Sequence, residues 1–502
     1  MNELKKTGIF IVVALLLTGA AFLRVPDRTG RNAAFLEQGK PFFSAFKDPL
    51  ACTDLEVIDY DASTATAARF KVMFKDGKWV IPSHYNYPAD AKDRLAKTAA
   101  GVIGLNKDTI RSDRVDDWEA MGVIDPLDPK ATSLKGRGKR VTLRDASEKI
   151  LADFIIGNEV KDRPGQRYVR VPDQKPTYGV NVKVDLSTKF ADWIETNLLK
   201  IDTARLRRVA FDGTKVDLDR GLVPGAVETI DRKDPAAPWT IEGNLPAGQE
   251  VNSEKLSALA TALGDLKIVG VRPKPQGLTR DLRTNGDLKI TLTQSAVLSL
   301  QNKGFFPTKD GRLLSNQGEV KVGTDEGVVY ALRYGEVVFA TGAELSAGIE
   351  EDAAAKAKAK EKGKDKGSES RYLMVTVSFD PALVPPPHSA GPETSTELPD
   401  DVFAPDPKDP KWVEEQKVAK EKAERETADH QRKLDEGQKR VEELMKRFAE
   451  WYYVTPGESF RSIALDRATL VRPKSAARPD APAGMPAFPP GFPGVPGGHP
   501  NF

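Results

Sequence analysis

Four histidines and one cysteine are the scarce reactive side chains of this 502-residue chain. His84, His388, His430 and His499 stand apart, and none lies at metal-ligand spacing with another His, a Cys or a carboxylate. His84 falls in the loop after a strand pattern at Trp79 and reads as a surface residue. His388 and His499 lie in low-complexity stretches. Glu344-Leu345-Ser346-Ala347-Gly348 has the serine of a nucleophile elbow but lacks its first glycine. Asp217-Leu218-Asp219-Arg220-Gly221 is too short for a calcium loop, lacks the distal Glu, and reads as a turn. Gly136-Arg137-Gly138-Lys139-Arg140 offers a phosphate or lipid-headgroup contact; a solvated hairpin is the simpler reading. There is no Walker loop and no Gly-x-Gly-x-x-Gly. No catalytic, cofactor-binding or metal-binding residue is therefore predicted, and no cofactor. Cys52 stands alone, so no intramolecular disulfide is available. Its setting, Pro49-Leu50-Ala51-Cys52, superficially resembles a lipidation site. However, it lies far beyond the apolar N-terminal run and follows Lys47 and Asp48.

The elements that must position these residues are easier to read. Phe70, Val72 and Phe74 alternate with Lys71, Met73 and Lys75, the period of a half-buried strand. Asp76-Gly77 signals a hairpin, and Lys78-Trp79-Val80-Ile81 reads as the return strand. Asp90 is the expected N-cap, with Asp93 in the first turn. Leu95, Ala99, Val102 and Ile103 then share one helical face. The series returns as Trp239-Thr240-Ile241, a Gly/Pro loop, and Leu256, Leu259, Ala260, Leu263 and Leu266 behind Asn252 or Ser253. Each tryptophan is expected to anchor helix against sheet, with ligand stacking as the alternative. Truncating a buried Trp costs roughly 3–5 kcal/mol.

Later strands are expected at residues 141–143, 150–156, 168–171 and 177–180. Their second-half counterparts fall at 288–293, 297–300, 320–323 and 328–332. This scheme places Ile156-Gly157 opposite Val322-Gly323. Phe190, Trp193, Ile194 and Leu198 suggest a closing helix. The predicted fold class is α+β: a tandem repeat of two similar units, each a mainly antiparallel sheet with a packed helix. An N-terminal transmembrane helix and a long C-terminal helix flank them.

Composition sets the remaining bounds. Hydrophobic residues make up 39% and charged residues 29%, and net charge is +2, a balance that argues against a nucleic-acid partner. Residues 7–23 are an uncharged apolar run at the short limit for a spanning helix. They read as a signal anchor, or as a signal peptide cut after Thr18-Gly19-Ala20. Lys5 and Lys6 favour a cytoplasmic 1–6, although Arg24, Arg28 and Arg31 weaken that argument. The expected organisation is a linker at 24–54, a first unit at 55–205 and a second at 206–349. A disordered insertion (350–370) and a strand completing the second unit (371–380) follow. A Pro-rich loop (381–410), a charged, partly amphipathic helix (411–450), a terminal hairpin (451–471) and a Pro/Gly-rich tail (472–502) end the chain. Gly437 is expected to interrupt the helix, which lacks sustained heptads. Its second half is expected to dock on its own protein; a partner-binding coiled coil is the alternative.

Trp79-Val80-Ile81, Pro88-Ala89-Asp90, Gly122-Val123, and Ile156-Gly157 with Tyr168-Val169-Arg170 together resemble the family called domain of unknown function 4340. The resemblance spans roughly residues 68–340. It is clearer in the first half, since the second has no Pro-Ala-Asp and no Tyr-Val-Arg at the expected place. It implies a membrane-anchored, extracytoplasmic protein, often associated with ABC-type export or gliding systems, and carries over no catalytic residue.

Two function classes follow from this reading. One is a non-catalytic binding or scaffold protein of the inner membrane, single-pass with its bulk extracytoplasmic, beside an ABC-type permease or other envelope protein. The other is an envelope hydrolase or glycan-acting enzyme using scattered carboxylates.

Overall fold

The computed structural model describes residues 8, 11–18, 37–62, 65–243, 245–278, 292–308, 312–340, 342–348, 369–387 and 410–474. Nine strands of the first half form one sheet. They are β1 (Asp54–Asp61), β2 (Thr66–Lys75), β3 (Lys78–Ile81), β4 (Tyr87–Pro88), β5 (Thr109–Ser112), β6 (Lys139–Arg144), β7 (Ile150–Glu159), β8 (Gln166–Arg170) and β9 (Thr177–Asn181). Their order is β4-β3-β2-β1-β6-β7-β8-β9-β5, and every pairing is antiparallel.

Alternation along these strands builds the two faces. Val57 pairs with Phe70 and Val141, and Leu55 with Val72 and Leu143, and all of them are buried. The opposite face carries charge. Asp54 receives Lys71 at 2.7 Å and Arg144 at 3.1 Å, and Arg144 reaches Glu56 at 3.0 Å. An antiparallel sheet with one face on the core needs this period of two. Helix α1 (Lys92–Ile103) covers the apolar face through Leu95, Thr98, Ala99 and Val102. A short helix α2 (Trp118–Met121) follows.

The second sheet comprises β10 (Leu206–Asp212), β11 (Val227–Asp231), β12 (Thr240–Ile241), β13 (Gly270–Pro273), β14 (Glu319–Thr324), β15 (Val328–Val338), β16 (Ser370–Phe379) and β17 (Trp451–Pro456). Its order is β12-β11-β10-β14-β15-β16-β17-β13. From β3 outward, the first sheet runs through the same succession of early, late and returning strands. Helix α3 (Ser253–Gly264) precedes β13 as α1 precedes β5. The remaining helices are α4 (Gln294–Gln301), α5 (Gly342–Ala347), α6 (Pro410–Phe448), α7 (Gly457–Ile463) and α8 (Arg467–Leu470). One apolar cluster runs from Phe42 to Leu470 through both sheets. The chain between the sheets docks beside α3, with Leu198 N donating to Leu266 O and Ile268 N to Thr196 O.

Several expectations need correction. Helix α1 starts at Lys92 with Ala91, which has no capping side chain, in the N-cap position; Asp90 lies one residue outside it, its backbone N donating to Trp193 O. Asn252 does cap α3, its side chain accepting from Lys255 N. Trp79 and Trp239 are only partly buried, Trp79 packing edge-on against Phe74 at 5.2 Å. The fully buried indole is Trp193, in a 3-10 turn (Phe190–Trp193) where a closing helix was expected. Residues 297–300 lie in α4, which Thr293 caps, rather than in a strand. Ile156-Gly157 lies on β7 and Val322-Gly323 on β14. Gly157 on β7 and Gly335 on β15 each lie within a register shift of their strand. The expected terminal hairpin is β17, set inside the sheet, followed by helix α7.

Helix α6 runs unbroken through Gly437, which is buried. A Cβ there would overlap the carbonyl oxygen of Glu326, so the glycine permits close packing rather than ending the helix. Residues 11–18 are helical and exposed, and among the described residues no helix is long and apolar enough to cross a membrane. Most of the 350–370 insertion, residues 388–409 and residues 475–502 lie outside the described residues.

Candidate functional site

The densest set of chemically able side chains forms where the two halves meet. Pro82 opens a 3-10 turn, Pro82–His84, and Tyr85 and Asn86 both take positive φ, 58° and 59°. That reversal sends the chain into β4 and turns His84 inward, leaving it 5% exposed. Its ring stacks on Phe190 with centroids 4.2 Å apart and planes 1° from parallel. Nδ1 meets Ser83 Oγ at 2.9 Å and Nε2 meets Ser346 Oγ at 2.9 Å. Ser346 lies in α5, on the strap that leads from β15, so this bond joins the two halves directly. Tyr85 OH donates to Ala347 O on the same strap at 2.9 Å.

Arg272 on β13 holds the strap from the other side. It is 6% exposed, and its guanidinium donates to Glu344 O at 2.7 Å and Leu345 O at 3.1 Å. These are carbonyls of the short helix α5, which an arginine satisfies well. Gly270 is required beneath them, since a Cβ would overlap Leu345 O. Tyr87 closes the junction, packing edge-on against Trp451 at 5.1 Å and Phe190 at 5.7 Å.

Burial, and then the nearby Arg272 charge, pull the His84 pKa down from 6.5 to about 4. A serine and a histidine at this distance match a nucleophile and its base. The third partner of such a set, on Nδ1, is here the hydroxyl of Ser83 rather than a carboxylate. An imidazole with so low a pKa is a weak base at neutral pH. What the geometry performs is mechanical: it ties the 82–87 turn, the α5 strap and β13 together.

The other sequence candidates resolve individually. Cys52 is buried, and burial raises its thiol pKa to about 12. Arg137 of the basic turn spends its guanidinium on the carbonyls of Ser133, Asp125, Pro126, Asp128 and Ala131, so the turn is a packed tie rather than a solvated hairpin. Asp217 accepts from Asp219 N and Arg220 N, forming a turn. His430 Nδ1 contacts Pro385 O at 3.0 Å, and His388 and His499 lie outside the described residues. Among the described residues no group of three or more His, Cys, Asp or Glu could hold a metal.

The recurrent motifs meet in one place. Arg170 is 1% exposed, lies 3.8 Å over the Trp118 ring, and donates to Val123 O at 3.0 Å. Gly157 sits against Met121 O, where any Cβ would clash. Gly122-Val123, Ile156-Gly157 and Tyr168-Val169-Arg170 therefore lock the α2 corner onto the sheet. The signal for the His84 junction was missed because Ser346 is 262 residues away.

By class this is an α+β protein whose described residues form two large antiparallel sheets on one shared core, with three small two-stranded sheets beside them. Residues 79–281 match the family described as domain of unknown function (DUF4340), a span reaching from β3 of the first sheet past β13 of the second. That segment contains the motifs that carry the resemblance, from Trp79 to Arg170. No curated protein and no solved structure matches the chain.

Proposed function

We propose that this chain is a membrane-anchored, extracytoplasmic binding scaffold in or beside an ABC-type transport or other envelope assembly. The observation that carries this reading is the form of α6. Its C-terminal half is docked through Val441, Leu444 and Phe448, whereas residues 417–422 stand fully exposed, with Val418 57% exposed. A helix docked through its C-terminal half and exposed at residues 417–422 presents a surface. A span at residues 7–23 would hold that surface near membrane partners at high effective concentration. The matching strand orders support a further part of the reading, that the two halves are tandem copies of one unit. On this reading Arg371-Tyr372-Leu373 of β16 is the counterpart of Arg167-Tyr168-Val169 of β8, displaced along the chain by the inserted residues 349–368.

The test is photocrosslinking from position 418 in native membranes, with purification after gentle solubilisation. A permease or ATPase joined to the helix supports the scaffold. Recovery of the protein alone counts against it. A second reading rests on the Ser346–His84 contact: an envelope hydrolase with Ser346 as nucleophile. Ser346→Ala separates the two. The scaffold expects a loss of about 1 kcal/mol in stability with partner recovery intact. An ester-cleaving activity abolished by the substitution in a folded protein would favour the hydrolase.

A further inference from the structure

Beside β12 lies a cavity of about 570 Å³ that no element described above uses. Its walls include Pro238, Trp239, Leu245, Pro246 and Ser257, with Lys474 on the rim. Trp239 is half-buried, and the Arg232 guanidinium lies 4.9 Å from its ring, fixing the indole in place. Volumes of this size are typical of ligand sites, and an aromatic wall beside prolines suits a proline-rich strand.

The chain itself points to the occupant. Residues 249–251 pair with Val471–Pro473, Arg472 reaches Glu250 at 2.8 Å, and Lys474 N donates to Gly248 O at 2.8 Å. The described chain therefore ends on the rim of this cavity. The sequence that follows has proline at every third position, Pro490, Pro493 and Pro496, with Pro486 and Pro489 just before. A polyproline II ribbon has three residues per turn, so such prolines share one edge. Residues 481–498 carry no charged side chain, and Phe488 and Phe492 interleave the prolines. The chain from Lys474 to Pro490 can span about 50 Å, ample to turn back. Tethering makes the encounter intramolecular, equivalent to millimolar ligand.

We propose that the Trp239 cavity is the docking site of this chain's own proline-rich segment, residues 486–496, bound in cis. Two features of the sequence and structure, each unexplained alone, then serve one purpose: the cavity is filled, and the tail is held against the second sheet. A proline-rich partner would have to displace it.

The test uses the full chain in mild detergent with Phe492→benzoylphenylalanine, which leaves the packed body untouched. Irradiation followed by peptide mass mapping reads out the contact. The expected result is a crosslink within one chain to residues 238–257. It is lost in Trp239→Ala and equally in a Pro490→Ala/Pro493→Ala/Pro496→Ala variant. The triple variant alters only the tail, so its loss of crosslink does not depend on the folding of Trp239→Ala. A crosslink mapping elsewhere, one formed only between chains, no crosslink, or one that survives the triple variant would overturn the proposal.

Discussion

At the scale of single residues, burial decides reactivity. Cys52 is the sole thiol, and a sole thiol invites use as a reporter of membrane sidedness. The thiolate is the reactive species, and a buried thiol with its pKa raised to about 12 supplies almost none at neutral pH. Folded protein should therefore resist maleimide on either side of a membrane and label fully only in denaturant. Rapid labelling of native protein would contradict this. Sidedness needs an exposed probe such as Lys161→Cys. His84 makes a second residue-scale prediction. Its folded pKa of about 4 lies below the ordinary 6.5, so the unfolded chain binds the proton first as pH falls. The neutral junction contributes its full stability above pH 6.5 and loses it progressively down to about pH 4. A difference of that size between the folded and unfolded imidazole corresponds to roughly 3 kcal/mol. Urea midpoints across this range should slope for the natural protein and flatten for His84→Gln. A slope unchanged by the substitution would assign the effect to other groups.

At the scale of elements, glycine carries information that periodicity does not. In a solvated helix, Gly437→Ala would stabilise by about 1 kcal/mol through helix propensity. Here the added methyl meets the Glu326 carbonyl and, at 2.7 Å, the Phe379 ring. Overpacking costs about 1–3 kcal/mol, so the substitution should destabilise and loosen α6 from β15 and β16. The sign of the shift in melting temperature decides between the two. Phe448→Ala belongs to the same surface and should cost about 3–5 kcal/mol, because that ring is 1% exposed and packs edge-on against Tyr453 at 6.1 Å. Shortening α6 over residues 410–422, of which 417–422 are exposed, should leave the melting temperature nearly unchanged. A large drop on that deletion would mean that the exposed half is part of the packing.

At the scale of the whole molecule, the two sheets share one core and are pinned at the His84 junction. A scanning calorimetry trace should therefore show the halves unfolding together in a single transition. Independent units would give two, as separate domains commonly do. Ser346→Ala should lower that transition slightly without splitting it.

Much of this was legible from the residues alone. Alternation at Phe70 and Val72, the Asp76-Gly77 turn and the apolar face of α1 are local patterns, set by neighbours within a few residues, and they emerged in place, although Phe74 at the end of the same strand is exposed. The family motifs were legible for the same reason, being short runs in one half. What the sequence could not supply was register across long gaps. Val322-Gly323 looked like Ile156-Gly157 because both are an aliphatic residue before glycine; the tandem-copy reading proposed above gives that place to Gly335 instead. On that same reading, Arg371-Tyr372-Leu373 went unmatched because an insertion moves it along the chain without moving it in the sheet. His84 read as a surface loop residue because it follows Pro82 at the end of a strand, with no local sign of a buried partner. Its surroundings come from Phe190, Arg272 and Ser346, brought together only when both sheets close on a common core. Local propensity acts over a turn or a strand and survives in the sequence. Burial and polar partnership are sums over distant segments, and the tertiary structure alone decides them.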